Sequence, residues 1–142
     1  MRMQDQQHNC GPFALKNALA ALGIDRSAEE LERLCGTTAT DGTPTRGVMR
    51  AAGRIEGCAP VLIRERRRDI ALMRLAEALR RGRPVVLSWC SSEPGDHWVA
   101  AVGVLGERYL VADSGDTELV MSYPVNALEA KWRDGRYEGV II

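Results

Sequence analysis

Apolar positions recur at helical spacing over residues 13–22, where Leu15, Ala18, Leu19 and Leu22 make one stripe and Gly23 supplies a stop. Ser27 followed by Glu30 reads as a capping box opening a second helix that runs to about 35–36. The polar residues 37–43 form a loop, and Pro44 suits the start of a third helix reaching 55–57. A short strand follows at 60–63, then the charge run 64–68, read as a solvated surface. Asp69 is placed as the cap of a fourth helix, with Ile70, Leu72, Met73, Leu75, Ala76 and Leu79 on its buried side. Gly82 and Pro84 stop that helix, and the apolar run 84–89 suits a buried strand. Residues 98–105 and 109–112 form a hairpin about Gly106-Glu107, followed by a short helix at 126–132 and a closing strand at 137–142. Helices precede strands, an α+β order unlike the alternation of a parallel sheet.

A chain of 142 residues is long enough to bury a core without disulfide or metal support, and residues 1–142 are read as a single domain. Formal net charge is zero, which argues against a nucleic-acid partner or an anionic membrane surface. No run approaches the roughly 18 apolar residues that span a bilayer, and residues 1–5 lack the apolar centre of a signal peptide. The expected location is therefore cytoplasmic, with Cys10, Cys35, Cys58 and Cys90 reduced. No C-x-x-C pair occurs, so neither a metal nor a cofactor is expected. Only nine residues precede Cys10, so an inhibitory pro-segment is not expected.

Candidate chemistry gathers at three places. Cys10 stands between the polar segment 4–9 and the first helix, and unsatisfied N–H groups at a helix start favour thiolate over thiol. The bland alternative is a small buried apolar residue, and its place at a helix mouth beside Gly11-Pro12 argues against deep burial. Gly11 would let a substrate backbone approach closely. Of the two histidines, His8 is a local alternative, while His97 opens a predicted strand. A base on a rigid strand facing a nucleophile on a rigid helix is the better-held pair, which favours His97.

A third group must orient the imidazole, and Asp113 is the first choice, with Asp116 as the fallback. Register separates them. A two-residue turn at Gly106-Glu107 puts His97 opposite Asp116 and Asp113 on the other face, so Asp113 requires an odd loop or one bulge. Oxyanion donors would be the Cys10 backbone N–H and a side-chain amide from Gln4, with Gln6 and Gln7 as competitors.

Gln4-x5-Cys10-Gly11-Pro12, Gly42-Thr43-Pro44-Thr45, Arg83-Pro84-Val85-Val86, Asp96-His97-Trp98 and Tyr109-x3-Asp113 occur in the order found in C39 and C39-like papain-fold cysteine peptidases. The chain resembles that group over nearly its whole length. Asn9 stands where the bacteriocin-processing branch more often has Asp, so the resemblance is closer to the broad C39-like branch. It implies a papain-like fold, with N-terminal helices carrying the Cys packed on an antiparallel sheet carrying His and Asp. It also implies Gln4 as oxyanion donor, Cys10 as nucleophile, His97 as base and Asp113 as orienter. No transporter domain follows, so the exporter-linked form is not expected.

The expected function is hydrolysis of a peptide bond in a peptide or protein substrate through a Cys10 thioester, with no cofactor. A deamidase or acyltransferase using the same thiol, or a non-catalytic peptide-binding module, are the alternatives.

Overall fold

The computed structural model describes residues 10–38, 42–90, 96–113 and 120–142, with positions 90, 96 and 113 described by backbone alone. Helix α1 spans Cys10–Ala21, so it starts three residues before the apolar stripe. Pro12 suits a first turn because its missing N–H would have no helical partner there. At the other end Gly23, at φ 78°, donates to Ala20 O while Ile24 donates to Leu19 O, which closes the last carbonyls.

Helix α2 spans Ala28–Cys35. Ser27 Oγ accepts from Glu30 N at 3.1 Å as the capping signal predicts. The Glu30 carboxylate turns instead to Arg26 at 2.6 Å, so only half of the reciprocal box forms. Helix α3, Thr45–Gly53, is shorter than the expected run to 55–57, and Pro44 is its N-cap. Arg54 N and Ile55 N bond three residues back, to Ala51 O and Ala52 O, and this tightening turns buried Ile55 into the core.

Strand β1 is Val61–Arg64 and helix α4 is Arg68–Arg80. Two expectations fail at α4. Arg67, not Asp69, is the N-cap; Asp69 lies in the first turn and pairs with Arg67 at 2.9 Å. Met73 is 58% exposed, because the buried stripe runs through Ala71, Leu75, Ala78 and Leu79. The charge run is partly structural: Arg64 pairs with Glu138 at 3.3 Å and Arg68 approaches buried Glu129 at 3.4 Å.

Strands β2 (Val85–Cys90), β3 (Asp96–Leu105), β4 (Arg108–Asp113) and β5 (Val120–Pro124) follow, then helix α5 (Val125–Asp134) and strand β6 (Glu138–Ile141). The apolar-run and hairpin signals locate β2, β3 and β4; β5, mostly exposed, carries no such signal and is missed. The sheet order is β1-β6-β2-β3-β4-β5, antiparallel throughout.

Both faces of the sheet are covered. Val86, Trp98, Ala100 and Val140 pack with Cys10, Ala14, Leu15, Ala18 and Leu19 of α1 and with residues of α2 and α3. Val85, Leu87, Trp89, Val99 and Ala101 pack on the other face with Leu75 of α4 and with Leu128 and Trp132 of α5. Strand alternation explains the split, since successive side chains leave opposite faces. Trp89 and Tyr123 make an edge-to-face contact at 5.5 Å although three strand spacings, roughly 14 Å in a flat sheet, separate β2 from β5. The sheet therefore curls around the apolar face of α5. This is the mixed helix and antiparallel-sheet architecture expected of a papain-like fold.

Candidate active site

Thr43 joins the starts of α1 and β3. An added Cβ on Gly11 would meet Thr43 Cβ and Oγ1 at 2.4 Å, so helix and loop are in close contact there. The carbonyl of the same Thr43 accepts from the Trp98 indole N–H at 3.0 Å. The residue after Cys10 and the residue after His97 thus lie on either side of one buried threonine. Thr43 is held in turn by Thr37, hydroxyl to hydroxyl at 2.7 Å.

Farther along, Asn17, Ala20 and Ala21 of α1 share a cavity with Val102, Ala112 and Val120 of the sheet. Helix α1 and strand β3 therefore run in the same direction, and Cys10 and His97 both lie at their leading ends. The cavity holds about 440 Å³ and has Lys16 at its rim. Lys16 is engaged by Arg26 O at 2.6 Å.

Cys10 is the first residue of α1 and is only 3% exposed. This corrects the expectation of a shallow position: Cys10 belongs to the apolar cluster that includes Trp98 and Ala14. Gly11 is also buried, and its α-carbon faces Thr43, so its lack of a side chain serves a contact within the chain.

His97 is the second residue of β3, half-buried, and opposite Trp89. By pleat parity it shares the face of Val99 and Ala101, whereas Trp98 and Ala100 face α1. Cys10 and His97 thus reach one end of the sheet from its two sides.

The β3–β4 register answers the question raised by the turn. Leu105 pairs with Arg108 across Gly106-Glu107, a two-residue connection. The pairing then shifts between Ala101 and Gly103, so Val102 is a bulge, and Val99 pairs with Asp113. Position 113 consequently has the pleat parity of position 97, diagonally one pair away. Diagonal neighbours stand roughly 7–8 Å apart, within reach of long side chains. Gln4, its competitors Gln6 and Gln7, His8 and the fallback Asp116 lie outside the described residues.

The other described thiols differ in setting. Cys35 is fully buried, and that burial pushes its pKa up to about 12 against the opposing charge of Arg50. Cys58 is half-buried, its pKa raised by burial and partly offset by Arg83 and Arg26. Cys10, Cys35 and Cys58 are free of disulfides. Among the described residues no grouping of three metal-ligating side chains occurs, and no helix is long and apolar enough to cross a membrane.

The sequence model of the Peptidase_C39 like family matches residues 1–140. The chain belongs to the Peptidase_C39 like family. That membership makes it a C39-like cysteine peptidase, and solved structures agree on the fold. The peptidase domain of Streptococcus ComA, a bi-functional ABC transporter involved in a quorum sensing pathway, aligns with TM-score 0.75 at 18% identity, covering 97% of this chain and 93% of that one. A putative C39-like peptidase from Bacillus anthracis aligns with TM-score 0.74 at 14% identity, covering 99% and 90%. A double glycine motif protease from an AMS/PCAT transporter, solved in complex with its leader peptide, gives TM-score 0.70 at 20% identity, covering 99% and 88%. No curated protein matches the chain significantly.

Proposed function

We propose that this C39-like peptidase cleaves a peptide bond through a Cys10 thioester, with His97 as base, Asp113 as orienter and Gln4 as oxyanion donor. The observation that carries the reading is the Gly11–Thr43–Trp98 contact, which sets the leading ends of α1 and β3 side by side. His97 is the second residue of β3 and Cys10 the first of α1, which supports a thiol–imidazole pair formed over that end of the strand.

His97 takes the Cys10 proton as sulfur attacks the scissile carbonyl. The carbonyl oxygen gains the negative charge and is held by the Cys10 backbone N–H and the Gln4 amide. Collapse breaks the C–N bond, and the leaving amine takes the proton from His97. Water, deprotonated by His97, then hydrolyses the thioester and the proton returns to sulfur. Asp113 keeps the imidazole in the productive tautomer and stabilises its charged form. The apolar cavity beside α1 receives side chains of the peptide, and the leader peptide bound to the transporter protease supports a peptide substrate. The chain acts as one domain in a reducing, cytoplasmic setting.

Purified Cys10→Ala and His97→Ala proteins are expected to lose more than about 10³-fold in turnover of a peptide library while keeping their circular dichroism. Hydrolysis surviving in Cys10→Ala would refute the mechanism. Mass spectrometry of the products distinguishes a cleaved chain from a one-dalton deamidation gain or a new isopeptide link.

A further inference from the structure

A second cavity lies away from the candidate active site, at the opposite end of the sheet where β2 begins. It holds about 320 Å³, within the range of small-ligand sites, and is lined by Ala59, Val61, Arg74, Glu77, Ala78, Arg81, Arg83 and Ile141. Ala59, Val61, Ala78 and Ile141 supply an apolar floor, and three guanidinium groups stand around it.

Two of the three arginines are already engaged. Arg74 donates to Glu65 at 2.9 Å and to Leu62 O at 3.2 Å. Arg81 pairs with Glu77 at 2.6 Å. Arg83 is half-buried and has no ion-pair partner among the described residues; its charge partly offsets the rise that burial gives the Cys58 thiol.

Arg83 is not needed to cap α4 either. Gly82, at φ 77°, donates to Leu79 O and Arg83 N donates to Ala78 O, so the main chain satisfies the final carbonyls. A half-buried guanidinium without an ion pair of its own, beside an apolar floor, favours an anion with an apolar body, because a carboxylate or phosphate meets its fork of N–H donors while Glu77 is held by Arg81.

We propose that this cavity binds a small organic anion with a short apolar tail, an alkyl carboxylate or alkyl phosphate. Its head group bonds Arg83 and its tail lies on Ala59, Val61, Ala78 and Ile141. The site is independent of the peptidase chemistry and places a ligand contact at the junction of α4, β1 and β6.

The full chain is titrated with hexanoate, hexyl phosphate and uncharged hexanamide, following the backbone amide resonances. Either anion should shift Ala59, Val61, Ala78 and Ile141 saturably, hexanamide should not, and the pair tells carboxylate from phosphate. Arg83→Gln should weaken binding about tenfold or more, the equivalent of one charge-assisted hydrogen bond, while Cys10→Ala binds as the parent does. No saturable shift with either anion, equal binding of hexanamide, or unchanged affinity in Arg83→Gln would each overturn the proposal. Because Cys10→Ala serves as a background, the result stands or falls apart from the peptidase mechanism.

Discussion

Gly11 shows how one missing carbon shapes the site. A methyl there would meet two Thr43 atoms at 2.4 Å and a third at 2.8 Å, so either the helix start or the 43 loop must move. Gly11→Ala is expected to cost about 1–3 kcal/mol and to lower activity beyond its effect on melting temperature, since Thr43 links Gly11 to Trp98. Combining it with Thr43→Gly, which empties that contact, should restore part of the activity. Equal activity in Gly11→Ala and the parent would remove Thr43 from the account. Cap residues behave more independently. Ser27→Ala should cost about 1 kcal/mol, the usual worth of an N-cap side chain, with activity unchanged at a temperature where both proteins are folded.

The bulge at Val102 matters most at the level of elements. Hairpin register with a two-residue turn would put position 113 on the face opposite His97, and one extra residue in β3 puts the two on one face. Deleting Val102 removes only the extra residue and leaves Val99 paired with Asp113, so position 113 should keep the face of His97. Turnover is expected to fall about 10²-fold or more in Asp113→Asn, with a dispersed amide spectrum retained, and to stay well above that level in the deletion variant. Full activity in Asp113→Asn would show that position 113 does not orient the base. The same strand pair explains why α1 is so apolar: Val102 and Ala112 line the cavity along it, and Trp98 and Ala100 pack in its cluster.

On the scale of the whole molecule, burial of ionisable groups sets the response to alkali. Burial pushes the Cys35 thiol from its ordinary 9.0 to about 12. Burial likewise raises Tyr109, and raises Tyr137 together with its hydrogen bond to Glu129. Below pH 9.0 the Cys35 thiol is protonated in both folded and unfolded chains, so its full contribution to stability is present. Above that pH the unfolded chain loses the proton first, and stability falls as pH rises toward about 12. Urea midpoints at pH 8 and pH 10.5 (roughly a unit or more to either side of an ordinary thiol pKa) should show this loss. Cys35→Ala, although less stable at the lower pH, should lose less between the two. An equal loss in both proteins would assign the alkaline sensitivity elsewhere.

Local signals in the chain were sufficient for most elements: the stripe of α1, the Ser27 cap, the apolar run of β2 and the Gly106-Glu107 turn each depend on neighbouring residues and on backbone conformation. They also brought Cys10 to a helix start and His97 to a strand start, and they posed the choice between Asp113 and Asp116 as a matter of one residue of register. Properties set by distant contacts were not legible there. Exposed β5 pairs through its backbone with β4 and carries little apolar periodicity. The exposure of Met73 and the burial of Cys10 depend on which neighbours reach them, and Thr43 owes its position to Trp98, 55 residues away. The choice of face for position 113 waited on the Val102 bulge, because hydrogen bonding between strands, rather than any preference within one strand, decides where an extra residue is accommodated.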